Sequence, residues 1–395
     1  MAQGQPRIRV VSVDDSVVVR RLVSDVLQSD PEIEVVATSS NGRLGVDAVR
    51  RLKPDVVVMD IEMPVMNGIE AVREIRTTDR RTPIIMFSTL TERGARATFE
   101  ALDAGATDYV TKPGQASAVG SGLESVRQEL IPKVRALAGR AARPVAAPRS
   151  ALAAARAAAA AKASLPAQAT GRNAWLAGAG TALVPRRPTL LAIGSSTGGP
   201  EALARVLGAL PLTLTVPVVV VQHMPAEFTQ LLSERLDRTC AVRVQHAVDG
   251  EPLQPGTVVI ARGGRHLEVV REQGRLVSRL SDAPAESFCR PAVDVLFRSV
   301  ARSVGGGVLA VVLTGMGSDG TAGAADLAAA GATLWAQDEA TSVVWGMPGS
   351  LVGAGLAGSV MPLPAIGPAL AQAVAGPRPQ SVPATASPTR GETRA

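Results

Sequence analysis

Residues 8–16 read IRVVSVDDS, four aliphatic residues within a run of six that closes on two adjacent aspartates. A short apolar run ended by acidic residues is the pattern of a strand buried on both faces of a parallel sheet. Immediately downstream, Val19, Leu22, Val23, Val26 and Leu27 fall on one helical face. The alternation then repeats. Strands are expected near 34–38, 55–60 (DVVVMD), 83–88 (PIIMFS) and 108–111, and helices near 43–52, 68–76 and 94–104. Strands alternating with helices of this length imply βαβ crossovers. The first part of the chain is therefore expected to be a doubly wound α/β domain with five parallel strands.

In such a sheet the reactive crevice lies at the carboxyl ends of the strands. Asp14 and Asp15 follow the first strand and Asp60 ends the third. Carboxylates gathered in one crevice repel, so they call for a cation, and hard oxygen donors favour Mg²⁺. Ser88 ends the fourth strand and Lys112 follows the fifth, adding a hydroxyl and a fixed positive charge. The cluster suits phosphoryl transfer to a carboxylate, with cation and Lys neutralising the transferring oxygens. One Asp at a strand end is commonly only a helix cap; five positions in order are not.

Asp14–Asp15, MDIEMPVMNG around Asp60, Ser88, and DYVTKP around Lys112 together resemble the receiver domain of bacterial response regulators, over about residues 7–125. The resemblance implies that Asp60 accepts phosphate from a histidine kinase. It implies that Asp14, Asp15 and Asp60, with the Glu62 carbonyl, surround Mg²⁺. It also implies that Ser88 and Lys112 contact the phosphoryl group and that Tyr109 is a switch residue.

The whole chain has 395 residues, 46% hydrophobic, 19% charged and only 2% aromatic, enough for two largely aliphatic cores. Its formal charge of +6 raises the question of nucleic acid. Yet ten basic and no acidic residues lie between Lys133 and Arg187, so this segment alone exceeds the surplus. A solvated basic linker at 126–187 is the expectation, and ALAAARAAAAAK at 151–162 has no apolar stripe to dock. Cys240 and Cys289 are too few for a disulfide framework, and no run suits a signal core or a bilayer span. A cytoplasmic protein without membrane insertion or nucleic-acid partner is expected.

A second α/β alternation begins with TLLAIG (189–194) and continues through PVVVVQHM, GTVVIA, GGVLAVVLTG and ATLWAQ. It suggests a second parallel-sheet α/β domain over 188–378, followed by a disordered tail at 379–395. Gly194–Gly198 (GSSTG) satisfies G-x-S-x-G with Ser196 at its centre, after a strand and before a helix. That turn exposes a nucleophile near helix N–H groups. A Gly-rich phosphate-binding turn is the competing reading, and the motif alone does not separate the two. Of three histidines, His223 ends the strand VVVVQH, whereas His246 and His266 are expected in polar, exposed settings. Asp319 follows the strand VLAVVL, within LTGMGSDG. Three strand ends thus offer Ser196, His223 and Asp319 to one crevice. Asp294, in helical-looking surroundings, is the rival carboxylate.

GSSTGG, QHMP, CRPAVDVLF and TGMGSDG together resemble the catalytic domain of the CheB family, chemotaxis-type protein-glutamate methylesterases, and the receiver in front completes that architecture. The resemblance implies Ser196 as nucleophile, His223 as base, Asp319 as orienter and the Thr197 and Met316 N–H groups as oxyanion donors. The implied hydrolase substrate is a γ-glutamyl methyl ester on a chemoreceptor, with deamidation of receptor glutamines as a related activity. Mg²⁺ belongs to the receiver, and the esterase chemistry is expected to need no cofactor. Ser195 stands where the family usually has Ala. A DNA-binding regulator would need a short basic helical output domain, and a binding-only output domain would not need the triad. An ordinary His base predicts a pH–rate limb near 6–7.

Overall fold

A computed structural model of the protein describes residues 7–112, 119–141 and 187–375. The Ala-rich stretch at 151–162 and the tail at 379–395 lie outside the described residues.

The first domain runs β1 Ile8–Val13, α1 Val17–Gln28, β2 Ile33–Ser39, α2 Gly42–Leu52, β3 Val56–Asp60, α3 Gly68–Thr78, β4 Ile84–Ser88, α4 Glu92–Asp103, β5 Asp108–Thr111 and α5 Val119–Ala141. Its five strands pair in parallel in the order β2-β1-β3-β4-β5. The order reverses direction beside β1, which opens the crevice between the ends of β1 and β3. Local chemistry sets the helix starts: Asn67 and Glu70 form a reciprocal capping box on α3, and Ser16 caps α1.

Helix α5 extends well into the stretch expected to be linker from residue 126. Val126, Leu130, Val134, Leu137 and Ala138 form a buried stripe on the receiver core. This helix went unread because Gly and Pro surround it and Pro132 lies inside it.

The second domain comprises β6 Leu190–Ser195, α6 Gly199–Gly208, β7 Val218–Gln222, α7 Ala226–Thr239, β8 Arg243–His246, β9 Thr257–Ile260, β10 His266–Glu272, β11 Arg275–Ser281, α8 Val293–Val304, β12 Val308–Val312, α9 Thr321–Ala329, β13 Thr333–Gln337, α10 Met347–Gly353, β14 Ser359–Met361 and α11 Leu363–Val374. Seven strands pair in parallel in the order β14-β13-β12-β6-β7-β9-β8, and β10–β11 form a separate hairpin. The ends of β12, β6 and β7 stand side by side at the centre of the sheet. Two cores flank that sheet. Leu191, Ile193, Val218 and Val220 face one, and Leu190, Ala192, Val219 and Val221 face the other. Alternate residues of each strand thus feed opposite layers.

The two domains touch. Tyr109 of β5 stacks on Phe228 of α7, with ring centroids 4.5 Å apart and planes 4° from parallel, and Phe99 of α4 lies 6.2 Å from the same ring. Arg235 of α7 pairs with Asp103 of α4. Val343 and Val344 of the second domain pack against the receiver cluster that contains Leu130 and Val134.

Candidate active site and phosphoacceptor site

The turn from β6 to α6 carries Ser196 half-buried at the strand end. Gly198 has φ +75°, a left-handed conformation that glycine adopts without strain. A Cβ at Gly199 would meet Gln222 Oε1 at 1.9 Å, so this position too requires glycine. Ser195 Oγ donates to Gln222 Oε1 at 2.7 Å, and Gln222 Nε2 donates to the Ser196 carbonyl at 2.9 Å. The second hydroxyl therefore points into the buried scaffold, away from the crevice. Ser196 N is tied to Thr314 O at 3.0 Å, which joins the turn to the loop after β12.

That loop carries Asp319, which is 3% exposed. Its Oδ2 accepts from Val293 N at 2.7 Å and its Oδ1 from Asp294 N at 2.9 Å. Both donors open α8, so helix N–H groups and the helix dipole fix this carboxylate. His223 Nε2 and Asp319 Oδ2 are 2.7 Å apart. The other ring nitrogen, Nδ1, lies 3.5 Å from Cys289 Sγ.

Electrostatics follow from these contacts. Burial works to raise Asp319, but the hydrogen bond and charge of His223 with the two backbone N–H groups hold it below the usual carboxylate range. Burial works to lower His223, but the Asp319 hydrogen bond, joined by Cys289, carries it up to about 9. Asp294, the rival carboxylate, is buried and accepts from Gly323 N at 2.6 Å. Burial and then the nearby Asp319 push it up to about 6. The carboxylate on His223 is thus Asp319.

Two expectations change. His266 is fully buried, with Nε2 3.0 Å from Pro284 O and Nδ1 accepting from Ala292 N at 3.2 Å. His246 is half-buried beside Thr229 Oγ1 at 3.1 Å, and burial, followed by the charge of Arg262, drives it down to about 4. His266 is thus a core group and His246 a half-buried one. The polar neighbours in the sequence misled because the imidazoles bond to backbone and hydroxyl groups within the fold.

In the first domain, Lys112 Nζ lies 2.9 Å from Asp14 Oδ2 and 2.8 Å from Asp60 Oδ1. Asp14 and Asp60 are buried and Asp15 is exposed. One oxygen from each of the three lies within 4.8 Å of the others. Burial lifts Asp60 to about 6 against the pull of Lys112. Ser88 Oγ is 3.1 Å from Gly94 O and accepts from Thr98 Oγ1 at 2.8 Å. Tyr109, two strand positions from the crevice end of β5, is buried against Phe228.

Comparison with known proteins gives a family match for each domain. Residues 191–370 match the CheB methylesterase family and residues 10–121 the response regulator receiver domain. A protein-glutamate methylesterase/protein-glutamine glutaminase from Nocardioides sp. is 53% identical over 390 residues, covering 96% of this chain and 99% of that protein. The chain belongs to the CheB family. A protein of the same name from Azospirillum brasilense is 45% identical, with 93% of each chain covered. Among solved structures, the Thermotoga maritima CheB methylesterase catalytic domain has a TM-score of 0.46 and 41% identity, covering 47% of this chain and 98% of that one. The CheB match spans the segment that holds Ser196, His223, Cys289 and Asp319. Cys289 is the residue of this site that sequence reasoning missed, although it lies within the quoted CRPAVDVLF.

Proposed function

We propose that this CheB-family enzyme hydrolyses γ-glutamyl methyl esters, and deamidates glutamines, on chemoreceptors in the cytoplasm. In this reading Ser196 is the nucleophile, His223 its base and Asp319 the group that orients His223. The 2.7 Å contact between His223 Nε2 and a buried, helix-anchored Asp319 carries the proposal. Because Asp319 holds Nε2, the proton from Ser196 must pass to Nδ1, which returns it to the leaving methanol or ammonia. Water then clears the acyl-enzyme. Neither Thr197 N nor Met316 N has an acceptor among the described residues, and both are free to donate to the oxyanion.

Asp60 is the phosphoacceptor, supplied by a histidine kinase, with Ser88 and Lys112 touching the incoming phosphoryl group. Asp14, Asp15 and Asp60 are hard donors close enough to share one ion, and the Glu62 carbonyl would join them around Mg²⁺. When bound, Mg²⁺ neutralises charge on the transferring phosphoryl oxygens.

The pH profile tests the base. His223 must be neutral to accept a proton, and its ion pair with Asp319 raises it to about 9. The limb of kcat/KM is therefore expected near 9, above the 6–7 of an ordinary histidine. Below it, methanol release should rise about tenfold per pH unit. A plateau already reached at pH 7 would contradict the ion-paired geometry.

Control follows from the contact between the domains. The receiver packs on Val343 and Val344, and Val344 O accepts from Gly315 N at 3.0 Å beside the nucleophile turn. The visible anchors are modest: an aromatic stack adds about 0.5–1.5 kcal/mol beyond its area, and a partly exposed ion pair about 0–1. Inverting a 99:1 docked population takes about 5.5 kcal/mol, part of which a phosphoryl group bound by Lys112 and Mg²⁺ supplies. Residues 188–378 alone are expected to outpace the unphosphorylated full chain in methanol release. Phosphorylation should close much of that gap, and Asp60→Asn should block the rise. Equal rates for the isolated domain and the resting chain would rule out covering and leave receptor docking as the route of control.

A further inference from the structure

His223 presents its two ring nitrogens to different partners, Nε2 to Asp319 at 2.7 Å and Nδ1 to Cys289 Sγ at 3.5 Å. Among the described residues, one ligand atom from each of these three lies within 4.8 Å of the others. A thiolate and an imidazole on one tetrahedral Zn²⁺ stand about 2.3 and 2.0 Å from the metal, and so roughly 3.5 Å apart. The separation of Nδ1 and Sγ is that of such a ligand pair. Cys289 is half-buried, open to solvent on one side. Asp319, fixed by the first N–H groups of α8, grips the ring from behind, as carboxylates do for metal-bound histidines.

The turn that presents Cys289 is closed by its own backbone. Glu286 and Cys289 exchange two backbone hydrogen bonds, of 3.1 and 2.8 Å. Between them Ser287 and Phe288 sit at φ +52° and +61°, left-handed values that cost non-glycine residues of order 1–3 kcal/mol each. Residues held in such conformations cluster at functional sites.

We propose that Cys289 Sγ and His223 Nδ1 form an inhibitory binding site for a thiophilic divalent cation such as Zn²⁺, with Asp319 behind the ring and water completing the shell. Only the inhibition rests on the reading of His223 as base; the metal site does not. Binding releases the thiol proton to solvent and occupies the Nδ1 lone pair. The same lone pair must receive the Ser196 proton, so metal and catalysis exclude each other. The all-oxygen set of Asp14, Asp15 and Asp60 favours Mg²⁺, which keeps the two cation sites chemically distinct.

The test uses the full chain in saturating Mg²⁺. Co²⁺ is titrated and the thiolate-to-cobalt charge-transfer absorbance is followed; Zn²⁺ is titrated in parallel against methanol release. The expected result is a cobalt band in the wild type and in Cys240→Ser that is lost in Cys289→Ser. Zn²⁺ should suppress hydrolysis, and Cys289→Ser, measured against its own metal-free rate, should need at least about tenfold more Zn²⁺ for the same loss. Ser196→Ala must retain the band, so failure of the catalytic reading would show in the rate and leave the metal result intact. No band in the wild type, or an undiminished one in Cys289→Ser, overturns the site. A band with no loss of rate overturns its inhibitory role.

Discussion

Ser196→Ala is expected to cut methyl-ester hydrolysis by about 10⁴-fold or more, with the fold unchanged. The side chain is half-buried at a strand end, and no described residue bonds to its Oγ. Its removal therefore takes away the nucleophile while the hydrogen bonds of the turn, made by the Ser196 backbone, persist. Ser195→Ala is the control. It leaves Gln222 Oε1 without a donor in the core, a matter of about 1–3 kcal/mol of stability, and removes no reacting atom. Its rate should remain within a few-fold of wild type. Methanol release from one methylated receptor preparation, with circular dichroism of both variants, makes the comparison. Loss of activity in Ser195→Ala with survival of Ser196→Ala would mean that the nucleophile is one residue away from the centre of G-x-S-x-G.

Much of this was legible in the sequence because both domains are parallel sheets. Runs such as VVVMD at 56–60 and VVVVQ at 218–222 are buried on both faces, so their strands show as unbroken apolar stretches. Chemistry at the strand ends then follows from topology: Asp60, Ser196 and His223 all come directly at or after such a run. What was hidden depends on contacts distant in the chain. Helix α5 reveals itself through the stripe from Val126 to Ala138, which acquires meaning only against the receiver core. His266 reads as polar surface and proves buried, because its partners Pro284 O and Ala292 N come from a loop with no periodic signal. Cys289 lies 66 positions from His223, and nothing in the spacing announces that the two side chains meet. The pairing of Tyr109 with Phe228 likewise joins two domains whose separate patterns say nothing about docking.

Asp319→Asn is expected to lose activity almost as completely, by about 10⁴-fold, although it removes only one charge and keeps the shape. The carboxylate accepts three hydrogen bonds, from Val293 N, Asp294 N and His223 Nε2. An amide has a single oxygen, whereas Val293 N and Asp294 N bond to different oxygens of Asp319, so one helix N–H loses its acceptor whichever way the amide turns, at a cost of about 1–3 kcal/mol. With the oxygen kept on Asp294 N, the NH₂ group faces Nε2. A donor there forces Nε2 to accept, which puts the ring proton on Nδ1, the nitrogen that must take the proton from Ser196. In that orientation the imidazole stays in place in the wrong tautomer, and in the other it loses the negative charge that stabilises its protonated form. A second consequence separates this from simple misfolding. Without the Asp319 charge the chief upward pull on His223 disappears, so burial should carry its pKa well below about 9. The residual rate of Asp319→Asn should therefore reach its plateau at lower pH than the wild type. Asp294→Asn makes no contact with His223 and should shift neither the rate by more than a few-fold nor the limb. Equal losses in the two variants, or a limb left near 9 in Asp319→Asn, would show that Asp319 serves the start of α8 alone and that another group orients the base.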